Sequence, residues 1–119
     1  MPDLIYVPSL LDRHTDHVVV NQMLARSTGE LGLRPMVYGY EVWSTLTPNV
    51  AVDITSEQPV KVRALECFTS QNVSNNWVEA AMGLNRYRGI TTSAGLYAEA
   101  FHRLTAARHR ELVGRLWKA

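Results

Sequence analysis

The chain has 119 residues, of which 46% are hydrophobic and 19% charged, and its formal net charge is +1. That length gives room for one domain with a core of its own. A charge so close to zero supplies no electrostatic reason to expect a nucleic acid or a membrane surface as partner. A single cysteine, Cys67, rules out an internal disulfide and suits a reducing compartment. No apolar run reaches the length of a membrane span, and the N-terminus lacks a basic stretch followed by a signal-type apolar segment, so the chain reads as cytoplasmic.

The first element is "DLIYV", Asp3 to Val7, a short apolar run closed by Pro8 and Ser9, as a strand buried on both faces would be. From Asp16 to about Arg26 the residues Val19, Val20, Met23 and Leu24 fall at helical spacing, and Gly29 and Gly32 then break the pattern. "MVYGYEVW", Met36 to Trp43, and "VAVDI", Val50 to Ile54, are rich in β-formers. Thr55 to Gln58 fits a capping box ahead of a helix that carries Val62, Leu65 and Phe68 on one side, with Pro59 tolerated in its first turn. A second helix is predicted from about Asn75 to Tyr87, ending near Gly89. A strand follows from about Leu96 to Phe101, and then a closing helix over Thr105 to Trp117. The order β-α-β-β-α-α-β-α makes the class α/β, with residues 1–119 read as a single domain. A first strand apolar on both faces wants neighbours on both edges, and partners from preceding βα units are missing. The chain therefore reads like the second half of a larger fold.

Chemistry is expected beyond the carboxyl ends of the strands of such a sheet, and "PSLLDRHTDH" leaves the first strand there. His14 and His17, three residues apart, can reach one centre, or one can bind a metal while the other faces substrate. A carboxylate between them can hydrogen-bond an imidazole, fix its tautomer and raise its pKa. The plainer alternative makes both histidines exposed loop residues and Asp16 a helix N-cap. His102 and His109 lie far away in sequence, without a second cluster of ligand-type residues beside them.

The segment "PDLIYVPSLLDRHTDH" resembles the strand and second metal motif of the LmbE/PIG-L family of zinc-dependent N-acetylglucosaminyl deacetylases, whose usual form is an apolar strand, P-S and then D-x-H-P-D-H. "YGYEVW", "VDIT", Lys61, Ala64 and Leu65, Ser70 and Gln71, "RYRG" and "YAEAF" continue the likeness in order, so it covers essentially the whole chain. The resemblance implies the C-terminal part of a Rossmann-like fold and hydrolysis of the N-acetyl group of a small N-acetylglucosaminyl glycoside. It makes His17 the zinc ligand and His14 a protonated imidazole over the substrate carbonyl, with Asp16 orienting and charge-tuning His14. Thr15 stands where the family usually has proline. The larger departure is the family's other motif, H-P-D-D-E, which brings the remaining ligands and the general base; no such string occurs here. Zinc hydrolysis needs about three protein ligands, an open water position and a base. On this reading the chain alone binds zinc weakly or not at all and does not turn over.

Arg13 beside the motif is a candidate to meet an anionic aglycone, against the alternative of an exposed loop arginine. Glu99 is a candidate for the sugar-pocket wall, against that of a solvent-facing strand residue. Glu41 and Trp43 could line the same crevice, although Tyr40 and Trp43 also suit a core or an interface. The basic residues of the last helix, interleaved with Leu112, Leu116 and Trp117, predict an amphipathic helix with a solvated basic face. Two functional classes follow: one half of a metal-dependent N-deacetylase, completed by an N-terminal half, or a non-catalytic remnant acting by self-association or sugar binding. In either case the unpaired first strand favours a homo-oligomer or a missing half as partner.

Overall fold

The structure is a computed structural model that describes residues 2–117. It is an α/β fold around one mixed four-stranded sheet. The elements are β1 (Leu4–Pro8), α1 (Thr15–Glu30), β2 (Met36–Tyr40), β3 (Val50–Asp53), α2 (Gln58–Glu66), α3 (Thr69–Asn72), α4 (Trp77–Thr92), β4 (Ala98–Thr105) and α5 (Ala106–Leu116). The strand order is β1-β2-β4-β3. The predicted order is recovered, with the short α3 added. The chain falls into two compact units, residues 1–50 with 101–119, and residues 51–100. None of the described helices is long and apolar enough to cross a membrane.

In the first unit β1, α1 and β2 form a βαβ crossover, and β1 and β2 pair in parallel with Leu4 opposite Met36 and Pro8 opposite Tyr40. The parallel partner of the first strand thus comes from the unit that follows it, not from one preceding it. β4 then runs antiparallel to β2, with Val37 opposite Leu104. Alternation along the strands turns Val7 and Val37 to one face, where they join Ala106 and Leu24 in the core. There α1 packs on β1 and on α5, and α5 packs on β2. Burying each such valine contributes about 1.5–3 kcal/mol.

β1 is not buried on both faces, as its composition suggested. Tyr6, on the opposite face from Val7, is 57% exposed, and Leu4 is exposed too. The apolar run is explained by an aromatic cluster instead. Tyr6, Tyr38 and Phe101 meet edge-on or tilted, with ring centroids 5.5–5.8 Å apart. The outer edge of β1 carries no strand among the described residues.

Gly29 does not end α1; it lies within the last turn. The helix stops at Gly32, whose φ of 63° is the left-handed conformation that favours glycine after a helix. β2 ends at Tyr40 rather than at Trp43, because side chains take over the backbone bonding. The Leu46 N–H donates to Glu41 and the Trp43 N–H to Asp12.

In the second unit α4 packs against α2 and α3. Buried Asn85 of α4 donates to the Ala98 carbonyl at 3.0 Å, and Arg86 donates to that of Leu96. The capping box predicted at Thr55 does not form. Glu57 is the N-cap, without a side-chain cap bond, and the Thr55 hydroxyl instead accepts the N–H groups of Leu96 and Tyr97. Phe68 lies beyond α2 and is exposed. Gly89 is interior to α4, since a Cβ there would stand 2.5 Å from the Gly95 carbonyl oxygen; the helix ends at Ser93, with φ of 55°.

On the basic helix α5, Arg108 and Arg115 both pair with Glu111 on the solvent side, while Ala106, His109 and Val113 are buried. His109 is 1% exposed. Its Nε2 lies 2.8 Å from Oδ1 of Asn21, whose amide nitrogen donates to the Pro8 and His17 carbonyls. Because that nitrogen is spent on two acceptors, Oδ1 must accept, which places the His109 proton on Nε2. Burial, helped by the neighbouring Arg110 charge, pushes the His109 pKa down to about 4.

Folding is therefore linked to pH through His109. Between its ordinary value of 6.5 and about 4 the unfolded chain takes up a proton that the folded chain refuses, so stability falls as pH falls through that window. The loss approaches roughly 3 kcal/mol. Denaturant titrations at pH 7, 5.5 and 4.5 will show this slope, and His109→Gln, which can still donate to Asn21, will flatten it. An unchanged slope in the variant would assign the effect to other groups.

Candidate functional site

The sequence that leaves β1 forms a tight loop because Pro8 and Ser9 end the strand and side chains then cap the turn. The Ser9 hydroxyl accepts the Leu11 N–H, and Oδ1 of Asp12 accepts the His14 N–H two residues on, at 3.0 Å. This is the self-bonding turn for which aspartate is favoured. His14 is the N-cap of α1 in extended conformation, without a cap bond from its side chain. Asp16 is thus not the N-cap; it lies in the first turn, exposed, where its negative charge suits the positive end of the helix.

Asp12 is the centre of the arrangement and is 1% exposed. Its second oxygen accepts the Trp43 N–H at 3.1 Å and lies 2.9 Å from Nδ1 of His17. That contact falls outside hydrogen-bond geometry, so it is a close approach of ring and carboxylate rather than an aligned bond. Burial by itself would raise the Asp12 carboxyl. The hydrogen bonds from the His14 and Trp43 N–H groups, with the close approach of the His17 ring, outweigh burial and hold the carboxyl below its usual range. The same negative charge acts on Tyr40, whose hydroxyl is pushed up first by burial and then by Asp12.

With Nδ1 of His17 turned to a buried carboxylate, Nε2 is the nitrogen left with a lone pair for a ligand. The His14 ring is 4.9 Å from that of His17 and nearly parallel to the Trp43 indole at 6.1 Å. His14 is exposed and Trp43 is 54% exposed. The site therefore consists of two imidazoles of which one is oriented by a buried acid, beside an aromatic plate and open to solvent. Arg13 is exposed on the same loop. Glu99 belongs to the second unit, where it forms an ion pair with Lys61 of α2.

The structure brings the predicted His14 and His17 together. It adds Asp12, which sequence reasoning passed over, and places Trp43 at the site. The signal for Asp12 was an aspartate four residues past the strand end, two before the first histidine and five before the second. Among the described residues no three His, Cys, Asp or Glu side chains form a group able to hold a metal ion. The residues present thus fit part of a zinc site, one oriented imidazole, and do not complete it.

Removing the Asp12 carboxylate strands two backbone N–H groups and the His17 ring. Asp12→Ala is expected to lose about 2–4 kcal/mol of unfolding free energy, and Asp12→Asn less, because its amide oxygen still accepts. Because the native carboxyl is held low, its contribution is present above the ordinary value of 3.8 and lost as pH falls through the folded value. Urea titration measures the cost, and nitrogen NMR of His17 will show its tautomer preference relaxing in both variants. An Asp12→Ala protein as stable as the parent would deny Asp12 its central place.

No family model matches the chain, and no solved structure matches it.

Proposed function

We propose that the chain carries part of the site of an LmbE/PIG-L-like metal-dependent N-deacetylase acting on a small N-acetylglucosaminyl glycoside. The observation that carries this reading is the buried Asp12 against Nδ1 of His17, in the first turn of the helix that follows β1, which leaves Nε2 as the nitrogen able to take a ligand. Carboxylate–histidine pairs of this kind are the usual support of a metal-binding imidazole. When bound, zinc supplies a Lewis acid and a water of lowered pKa. In this chain His17 is the residue that would hold it, and the other ligands and the base come from outside the described residues.

The remaining roles belong to the chain's own side chains. His14, when protonated, donates to an acyl oxygen as negative charge develops on it. Trp43 flanks that ring, nearly parallel to it. Asp16, exposed in the first turn of α1, has from the resemblance the role of orienting His14, and Arg13 stands on the same loop for an anionic aglycone.

A second reading, self-association without catalysis, is favoured by a separate observation. The outer edge of β1 is unpaired among the described residues, and Leu4 and Tyr6 on β1 and Val19, Val20 and Met23 on α1 are all exposed. Unpaired edges and exposed apolar groups are features that a partner covers.

The activity reading is tested by supplying a polypeptide with an H-P-D-D-E motif and measuring acetate release from an N-acetylglucosaminyl glycoside. His17→Ala is expected to abolish zinc binding and turnover together. His14→Ala is expected to retain zinc and lose about two to four orders of magnitude in turnover. The reverse pattern would overturn the two assignments, and no acetate with any such partner would remove the enzymatic reading.

The assembly reading is tested by light scattering over a concentration series. A dimer is expected, most simply two-fold, and Tyr6→Lys on the exposed face of the edge strand will weaken it. A monomer of 13.4 kDa at high concentration would end this reading.

A further inference from the structure

Helix α1 turns to solvent a stripe that is apolar in its middle and charged at its ends. Asp16, Val19, Val20, Met23 and Arg26 are all exposed, and at 3.6 residues per turn they fall on one side of the helix. Asn21, Ala25 and Thr28, on the other side, are buried. Val19 and Val20 are each 44% exposed and Met23 63%, whereas a helix face that stays in water is normally polar. An acid stands at the N-terminal end of the stripe and a base at its C-terminal end.

That order makes the stripe complementary to itself in one direction only. A two-fold axis at the level of residue 21 sets two copies of α1 antiparallel, so that residues equally far before and after it face each other. Asp16 of one copy then meets Arg26 of the other, and Val19 meets Met23, each contact occurring twice by symmetry. Parallel helices would instead bring Asp16 to Asp16 and Arg26 to Arg26, which like charge disfavours. Within the chain Arg26 pairs with Glu30 at 2.7 Å, with side chains 80% and 60% exposed. An exposed pair of that kind contributes little, and the guanidinium keeps further N–H donors for a second carboxylate.

We propose that this face of α1 is the contact surface for a second copy of the chain, packed antiparallel across a two-fold axis. Val19 and Met23 form the middle of the contact, and Asp16–Arg26 pairs close its two ends. The proposal rests on the self-association reading and names the surface that carries it; it is independent of the deacetylase reading. A single helix pair buries less than a standard interface of about 1,600 Å², so the dimer is expected to be weak and to loosen as salt is added.

The test is light scattering on the full chain and its variants, in a concentration series that reaches millimolar. Asp16→Lys and Arg26→Glu each turn both attractive pairs into repulsive ones. Each is expected to raise the dimer dissociation constant by about tenfold or more. Mixed in equal amounts, the two variants are expected to form a heterodimer, because opposite charges again face each other at both ends. The double variant carrying both changes is expected to return to the affinity of the parent. Should Asp16→Lys fail to fold, Arg26→Glu and Met23→Lys replace it, and both are expected to disperse the dimer. A parent that stays monomeric would overturn the proposal together with the self-association reading. A parent dimer that the charge variants leave intact, or variants that fail to associate when mixed, would overturn the proposal alone and move the contact to another surface.

Discussion

The Asp12 carboxylate receives the N–H of His14, the N–H of Trp43 and the approach of the His17 ring. Those three groups come from the loop after β1, the loop after β2 and the first turn of α1. Parallel pairing of β1 and β2 already brings these segments to one end of the sheet, and one buried negative charge fixes how they meet there. Desolvating a carboxylate costs several kcal/mol unless its oxygens are bonded, and here the compensating donors are supplied mostly by backbone. Backbone donors cannot rotate away, so the carboxylate is a rigid reference point and His17 inherits that rigidity. The open side of His14, beside Trp43, has no comparable anchor.

A second polar link lies deeper. Asn21 bridges the Pro8 and His17 carbonyls to His109, tying the end of β1 to α1 and α5. The helix bond that Asn21 makes back to His17 is local, whereas those to Pro8 and His109 are tertiary. Since Asn21 sits one turn after His17, the same helix turn that presents the imidazole is clamped from behind. Apolar packing of Val7, Val37 and Ala106 supplies the burial, but it is non-directional. Asp12 and Asn21 add the directional bonds that set where the loop after β1 lies.

Much of this was legible in the sequence. Helix and strand order followed from periodicity and from Gly, Pro and Asn breaks, and the histidine pair stood out after a strand. The misses share a physical cause. Gly29 and Gly89 read as breaks because composition registers their flexibility, while both lie inside helices, and Gly89 serves a close approach to the 95–96 backbone. Thr55 looked like a cap, yet its hydroxyl serves two N–H groups some forty residues on. Asp16 drew attention by lying between the histidines, but helix geometry turns position 16 to solvent and leaves Asp12 to face His17. Each outcome depends on tertiary proximity, which local pattern does not encode. His109, a lone histidine on an amphipathic helix, gave no sign of its buried bond to Asn21.

The parallel pairing of β1 and β2 carries a consequence for how the site could be completed. In parallel sheets the strands end on one side, and the loops that follow them gather there. β1 lies at the edge of the sheet, so on its outer side the space beside the loop of Asp12, His14 and His17 is bounded by no strand among the described residues. A strand from another polypeptide, added parallel to β1, would end at the same level and send its own loop toward His17. An antiparallel addition, as in a two-fold pairing of identical edges, would instead deliver the start of a strand. The first arrangement can complete a ligand set, whereas the second covers the edge and leaves the set open. On the two proposed readings, catalysis and self-association through β1 are therefore alternatives at one edge.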